Sequence, residues 1–598
     1  MYKSPHARDI VLRMNDIQQH RGPDYQGIYQ DEHCILGHTR LSIIDLSSDG
    51  HQPFVSADNR YYMIYNGEIY NYIELREHLK QEGFSFRTQT DTEVLLAAYQ
   101  HYGTSCLHKL NGMFAFCVYD QKTHILFIAR DRVGIKPFYY IQRPDGFYFA
   151  SEIKALLSIP NLTPCIHHQS LFDYLVFNRT DVFQDTFIED IYRLPAGHYG
   201  ILDEQHFSIH QWWHPELFIN SSKETSLQDI QDHIRELLVS SVALRMRSDV
   251  PVGTCLSGGL DSSIIVGTLF EKNLVNSGFQ TFTASFPNQI EDETRYVNTL
   301  NQRFPFQSHL IFPTSQNAYE NLYHFTYTND EPVPSPSFYA QYEVMKYAHD
   351  QHITVLLDGQ GGDENFAGYH YFNGFFWFEL FKTKQFVRFV KEIHAAILKK
   401  THSSAYQTFG FLLAPAHLKK KLLKLSVPYM AADFFDEYIE KSMIWQHFFC
   451  IDSLNQSILR HFQYKLEHLL RIEDRNSMAF SLEARLPYLD YRLIEYLLSV
   501  PGELKIMYGQ PKYLQKASLG QFTVQEILQR KDKQGFEVPC AQWMKGETWQ
   551  SFFDDCYENL SQSMPTVFCS DIRNIRSPKD HWKMCQLQVW RDVFNVQS

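Results

Sequence analysis

Short stretches in which apolar and polar residues alternate dominate the chain up to about Gly200, among them Tyr61 to Tyr65, Met113 to Tyr119 and Ile125 to Ala129, divided by Asn-Gly and Asp turns. A period of two sends successive side chains to opposite faces, so this part predicts antiparallel sheet with a few helices. One helix is predicted from Thr90 to Tyr99, where Thr90 resembles a cap. From Gln228 the period changes. Apolar runs such as Asp249 to Gly253 and Ile353 to Leu357 read as buried strands alternating with helices, the pattern of a parallel sheet covered on both faces. Residues 371 to 470 carry long amphipathic patterns rich in aromatics, such as Phe375 to Phe381, and predict a helical insertion or cap.

At 598 residues the chain exceeds what one core serves. The change of period sets the expected division: a first domain over 1–200, a linker over 201–227 and a second domain over 228–598. A hydrophobic fraction of 44% with 15% aromatics is that of a folded globular protein, and no segment has the uncharged apolar length of a membrane span. The formal charge of -13 argues against a general nucleic-acid binder. Ten cysteines without a Cys-x-x-Cys pair indicate neither a zinc ribbon nor a disulfide framework, so a reducing cytoplasm is expected. The histidines lack ligand spacing and read as surface or core residues.

The chemistry concentrates in Cys255-Leu256-Ser257-Gly258-Gly259-Leu260-Asp261-Ser262-Ser263, between a strand and the helix that Ile264 to Leu269 continue. Two adjacent glycines let the backbone approach an oxyanion. Ser257, Ser262 and Ser263 add hydroxyls, and the helix start offers free N–H groups and a positive dipole end. A Walker loop needs Lys before its Ser or Thr; here Asp261 stands instead. An acid beside a polyphosphate repels it unless a divalent cation lies between, and Mg²⁺ with its preference for hard oxygen suits the place. The loop therefore reads as a holder of magnesium pyrophosphate. A lone Ser-Gly-Gly would be only a capped turn. The full run resembles the pyrophosphate loop of N-type ATP pyrophosphatases, which adenylylate a carboxylate and then replace AMP with a nitrogen nucleophile.

A second group, His20-Arg21-Gly22-Pro23-Asp24, Arg40 to Asp45, Tyr65-Asn66-Gly67-Glu68 to Asn71 and Thr90-Asp91-Thr92-Glu93, resembles class II glutamine amidotransferase domains. That chemistry needs a guanidinium fork for an α-carboxylate, a carboxylate for an α-ammonium and amide donors for a tetrahedral oxyanion. The resemblance assigns glutamine binding to Arg40, Glu68 and Asp91, and the oxyanion hole to Asn66 and Gly67. Singly, Asn66-Gly67 is a common hairpin turn, Arg40 a surface ion pair and Asp91 a helix cap.

From His20 onward the chain is similar to the glutamine-hydrolysing asparagine synthetase family. The resemblance implies an α+β first domain, an αββα Ntn-type sandwich, followed by an α/β doubly wound parallel-sheet domain with helical additions. It implies glutamine hydrolysis in the first, passage of ammonia to the second, and there aspartate and ATP giving β-aspartyl-AMP and pyrophosphate before ammonia displaces AMP. The ATP site would comprise Leu256, Ser257, Gly258, Gly259, Asp261, Ser262, Ala284, Asp358 and Gly359. Asp261 and Asp363 would bind Mg²⁺, and Lys512 would neutralise the departing pyrophosphate. Glu483-Ala484-Arg485-Leu486-Pro487-Tyr488-Leu489-Asp490 also matches. The expected partners are small molecules, with no nucleic acid and no membrane; a homodimer is the ordinary oligomer of such a fold.

Two departures qualify these expectations. The family's glutaminase nucleophile is an N-terminal cysteine, absent from this chain, where Tyr2 follows Met1 and Cys34 is the earliest cysteine. The first strand is expected to be missing with it. Nitrogen then comes from glutamine if the true N-terminus carries the cysteine, and otherwise from ammonia. Gln360 stands where other members often have a carboxylate; an amide cannot act as a base, so that role would be positional or pass to Glu364 or Glu483. The rival readings are a β-lactam-synthetase-like or other carboxylate amidase, and a non-catalytic regulatory homologue.

Overall fold

The computed structural model describes residues 6–204, 206–222, 226–530, 537–569, 572, 575 and 577–597. Met1 to Pro5, where the question of an N-terminal nucleophile falls, lie outside them. The first half contains β1 (Tyr25–Gln30), β2 (Ile35–Arg40), β3 (Phe54–Val55), β4 (Tyr61–Ile69), β5 (Gly112–Asp120), β6 (Ile125–Arg130), β7 (Tyr139–Arg143), β8 (Gly146–Ala150), β9 (Tyr192–Arg193), β10 (His198–Leu202) and β11 (Phe207–Gln211). Six of these form an antiparallel sheet in the order β11-β10-β6-β5-β4-β3, while β8-β7-β9 and β1-β2 form smaller sheets.

Strand β5 explains the layering. Its alternate residues Ala115, Cys117 and Tyr119 pack with Leu36 and Tyr140 of the smaller sheets and with Phe138, just ahead of β7. Phe114, Phe116 and Val118 face the other way, onto Leu75, Leu79, Val94 and Leu95 of helices Tyr72–Gln81 and Asp91–Tyr102. With both faces covered, a one-residue slip would exchange two cores, so the register is fixed. Helix Ala7–Ile17 lays Ile10 and Met14 on Tyr139, Ile141 and Tyr148, which completes the αββα order. The Asn66-Gly67 pair makes no turn: it lies within β4, opposite Ala115 and Phe114. The hairpin of β10 and β11 carries the first sheet to Gln211, so the segment expected as a linker from 201 begins as sheet.

The second half opens with helix Leu227–Arg245 and builds a parallel sheet from β12 (Val252–Cys255), β13 (Gln280–Ala284), β14 (Gln307–Ile311), β15 (Val355–Leu357) and β16 (Glu483–Arg485), in the order β14-β13-β12-β15-β16. Strand β12 starts later than its apolar run. Pro251 has no N–H to give, and its carbonyl accepts from Thr354 and Val355 at 3.3 and 3.2 Å. The order reverses at β12, flanked by β13 and β15, which is the switch point where open sheets of this kind take ligands at the carboxyl ends of their strands. The predicted helical insertion is present as helices between Phe372 and His461.

One helix joins the halves. In Glu467–Met478 all residues but Leu469 are buried although most are polar. Their partners come from distant sequence: Glu467 meets Arg130 at 2.6 Å, Arg471 meets Asp181 at 3.0 Å, Asp474 meets Arg21 at 2.9 Å, and Arg475 meets Asp330 at 2.9 Å. Such pairs add little net stability over apolar packing, yet each strongly penalises any arrangement that separates it, so they fix how the halves meet.

Candidate functional site

The loop after β12 occupies the switch point. Gly258 adopts a left-handed φ of 70° that a side chain would strain, and this bends the chain into helix Leu260–Glu271. Inside the bend Ser257 and Ser262 Oγ atoms lie 3.2 Å apart, and the Gly259 N–H donates to Ser257 Oγ at 3.3 Å. Ser263 is fully buried, and its hydroxyl has no partner among the described residues. The Leu256 N–H donates to the Phe282 carbonyl at 2.9 Å, which brings it beside β13 and its last residue, Ala284. Across β12, Leu357 pairs with Thr254, so Asp358 and Gly359 emerge on the same edge. A β-carbon on Gly359 would stand 3.2 Å from both the Asp261 β-carbon and the Ser262 nitrogen.

Asp261, Asp363 and Lys512 converge there. The Lys512 ammonium donates to Asp261 Oδ1 at 2.6 Å and lies 2.7 Å from Asp363 Oδ1. Gln515 Nε2 adds a bond to Asp261 Oδ1 at 2.7 Å, and the Tyr488 hydroxyl donates to the Asp261 carbonyl at 3.1 Å. Burial opposes the charge of Lys512, but the two carboxylates outweigh it and raise its pKa. The lysine itself has a left-handed φ of 57°, unusual for a residue with a side chain, at the start of helix Tyr513–Leu519. Gly368 makes room for the trio: a β-carbon there would fall 2.0 Å from Asp363 Oδ1 and 2.2 Å from Lys512 Cε.

Of the residues proposed to take the place of a carboxylate at Gln360, neither reaches this cluster. The Gln360 N–H donates to Asp358 Oδ1 at 3.1 Å, and burial raises the Asp358 carboxyl to about 6. Glu364 is buried and accepts from the Tyr369 hydroxyl at 2.6 Å. Glu483 is turned away altogether. Its register partner is Val355, at the amino end of β15, whereas the loop at Asp358 leaves the carboxyl end. Its carboxylate accepts from Arg485 Nε at 2.8 Å and lines the first half's cavity instead.

That cavity, of about 200 Å³, is bordered by Arg40, Asn66, Gly67, Glu68 and Asp91, with Met478 and Glu483 entering from the second half. The Arg40 guanidinium is held by carbonyls, Ser47 at 2.6 Å and also Asp45, and has no carboxylate partner among the described residues. Burial lowers its pKa. Asp91, capped by Thr90 at the start of its helix, accepts from the Tyr65 hydroxyl and the Ile69 N–H, both at 2.9 Å, while burial raises its carboxyl. Asn66 Nδ2 and Glu68 Oε2 are buried and have no hydrogen-bond partner among the described residues. Burial first, then the charges of Asp91 and Glu483, push Glu68 well above the carboxylate range. Buried polar atoms left unpaired are costly, so an orphan amide donor in a cavity marks a place for a ligand oxygen. Cys117 also borders the cavity, but burial raises its thiol far above the reactive range.

Sequence reasoning missed three participants. Gln515 follows Lys512 by one helical turn, a spacing that signals a shared face. Tyr488 lies in a stretch already singled out. Glu473 is buried on the joining helix, and neither carboxyl oxygen has a hydrogen-bond partner among the described residues; burial first, then Asp358 and Asp474, raise its pKa. Nothing local marks it.

Among protein families, a glutamine amidotransferase domain matches residues 1–213 and an asparagine synthase domain residues 233–591. The chain is 32% identical over 560 residues to the glutamine-hydrolyzing asparagine synthetase 1 of Bacillus subtilis, an alignment covering 90% of this chain and 85% of that protein. A putative asparagine synthetase 2 of Methanocaldococcus jannaschii is 35% identical over 64% of this chain and 77% of its own length. Amidase chry2 of Gibberella zeae is 28% identical over 90% of this chain and 87% of its own length.

Proposed function

This chain belongs to the asparagine synthase family, an ATP-dependent amidating ligase with a glutamine amidotransferase domain ahead of it, and we propose that its substrate is aspartate and its products asparagine, AMP and pyrophosphate. The observation that carries the reading is the convergence of Asp261, Asp363 and Lys512 on the loop at Ser257. In the first step an aspartate carboxylate oxygen attacks the α-phosphorus of ATP, and the α–β bond breaks. The N–H groups of the bend with the Ser257 and Ser262 hydroxyls hold the departing phosphates, and the Lys512 ammonium offsets the charge that builds on them. In the second, ammonia attacks the acyl carbon, the bond to AMP breaks, and the nitrogen loses a proton.

The residues present fit Mg²⁺. Two carboxylates share one ammonium, which leaves the trio one negative charge in excess, and one or two carboxylates with substrate phosphates are the usual holders of this ion. Asp261 and Asp363 are the residues that would hold it; bound there, it supplies charge neutralisation to the triphosphate. Leu256, Gly258, Gly259, Ala284, Asp358 and Gly359 would line the nucleotide, and Gln360 would orient the acyl group through hydrogen bonds alone. Arg40 and Asp91 would bind the α-carboxylate and α-ammonium of glutamine with Glu68 beside them, and Asn66 with Gly67 would receive the oxyanion.

Purified protein given aspartate, ATP and ammonium should form asparagine, AMP and pyrophosphate in equal amounts, and Asp261→Asn should abolish most of all three. Release of ADP and phosphate, or AMP formation indifferent to aspartate, would overturn the proposal. A second arm replaces aspartate with other carboxylates, because a relative named as an amidase aligns along most of the chain.

A further inference from the structure

Two helices of the insertion turn apolar faces outward. In Phe386–Leu398 the residues Phe386, Val387, Val390, Ile397 and Leu398 recur at helical spacing, and they are 52, 74, 63, 58 and 70% exposed. The side chains this helix buries are Glu392 and Ala396. Glu392 is occupied: its carboxylate accepts from the Tyr508 and Gly509 N–H groups at 3.1 and 2.7 Å. Helix Ala416–Ser426 buries no residue at all, and Leu418, Leu422 and Leu425, four and three residues apart, stand 40, 46 and 67% exposed.

Single exposed leucines are ordinary; an unbroken apolar row along a helix is not. An isolated helix of this length is marginal in water, and most helices are held by packing an apolar face. Ala416–Ser426 rests Leu423 against the core but turns Leu418, Leu422 and Leu425 to solvent, so that row has its natural complement outside the described residues.

Charge identifies the complement. Between Lys382 and Lys424 there are ten lysines and arginines against one acid, Glu392, in a chain whose formal charge is -13; four of them, Lys382, Arg388, Lys420 and Lys424, pair with acids from outside that stretch, Asp452, Glu503, Glu440 and Asp436. Lys384, Lys391, Lys399, Lys400 and Lys421 have no acidic partner among the described residues. A second copy in a two-fold contact would set this basic surface against itself. We propose that these two apolar rows, with the lysines beside them, dock the protein on a bilayer surface rich in anionic phospholipid, each helix lying in the interface plane. Leucines and valines enter the acyl boundary, and the lysine stems extend so that their ammonium groups meet headgroup phosphates. The helices lie flat: no helix of the described residues is long and apolar enough to cross a membrane. This revises the expectation of no membrane contact and is independent of the substrate assigned above.

The test is sedimentation of the full chain with vesicles of phosphatidylcholine alone or mixed equally with phosphatidylglycerol, at low and high salt. Binding is expected on the anionic vesicles, at least tenfold weaker on neutral ones, and weaker as salt rises. Val387→Glu with Leu422→Glu should lower anionic-vesicle binding at least tenfold while pyrophosphate release in solution stays unchanged. Lys391→Glu with Lys421→Glu, which leaves every apolar side chain in place, should do the same and covers the case in which the first variant misfolds. Absent or lipid-indifferent binding would overturn the proposal. So would a vesicle-free dimer that these substitutions split, which makes the face a contact between copies, or retention on polyglutamate without retention on vesicles, which assigns it to an acidic protein.

Discussion

Replacing Lys512 with Met removes one ammonium and little volume. The rate effect follows from Coulomb's law. Asp261 Oδ1 and Asp363 Oδ1 hold the nitrogen at 2.6 and 2.7 Å, and in the proposed mechanism that is where the phosphates leave. A unit charge about 4 Å away at an effective dielectric constant of about 20 is worth roughly 4 kcal/mol. If that interaction exists only as pyrophosphate departs, its loss slows the step about a thousandfold, at roughly 1.4 kcal/mol per factor of ten. The backbone supports placing the weight on this residue. Its φ of 57° costs about 1–2 kcal/mol for an L-residue, a strain the fold retains with the ammonium in place. The assay is pyrophosphate release under saturating ATP, aspartate and ammonium, with a thermal melt to show that the variant is folded. Lys512→Arg keeps the charge, but the approach of Gly368 leaves no space for a guanidinium, so it should recover less than a tenth of the wild-type rate. A folded Lys512→Met enzyme within tenfold of wild type would refute the reasoning.

Gly368→Ala should reproduce the Lys512 defect without touching a charge, because the added methyl falls on Asp363 and Lys512; a loss of about a hundredfold in pyrophosphate release is expected, and an unchanged rate would show that the trio can shift freely. Arg40→Ala should weaken glutamine binding, read by calorimetry on the whole chain, about ten- to a hundredfold, the worth of one charge-assisted fork, while the ammonium-supported rate holds. Asp173 tests the pH linkage of the fold. Burial raises its carboxyl from 3.8 to about 7, with the Ser442 hydroxyl donating to it at 2.5 Å. A raised folded pKa means that the stabilisation is complete below about pH 4 and is lost as pH climbs to 7, an effect of about 4 kcal/mol. Asp173→Asn should therefore match wild type at pH 4 and denature at higher urea than wild type at pH 8; equal midpoints at pH 8 would contradict the assigned ionisation.

What could be read from the sequence was local, and what escaped it was register and reach. Strands β4, β5 and β6 and the Thr90 cap are written in adjacent residues, as is the bend at Ser257, whose two glycines and three serines fall within seven residues. The arrival of Asp358 on the same edge was also legible, since parallel strands of one sheet share a carboxyl end. Glu483 was misplaced because its segment resembles the family while its end of the sheet depends on pairing with Val355, which no local pattern records. Glu467–Met478 reads as a polar helix and is buried all round, because its counter-charges lie as far off as Arg21 and Asp181. The register that misplaced Glu483 also relates the two sites. Glu483 borders the first cavity at the amino end of β16, and Asp358 leaves the carboxyl end of β15 on the edge that carries Asp261, so three strand residues, about 10 Å, separate those two ends of the sheet. Met478 of the joining helix also borders this cavity, and the buried ion pairs of that helix hold the two halves at a fixed separation.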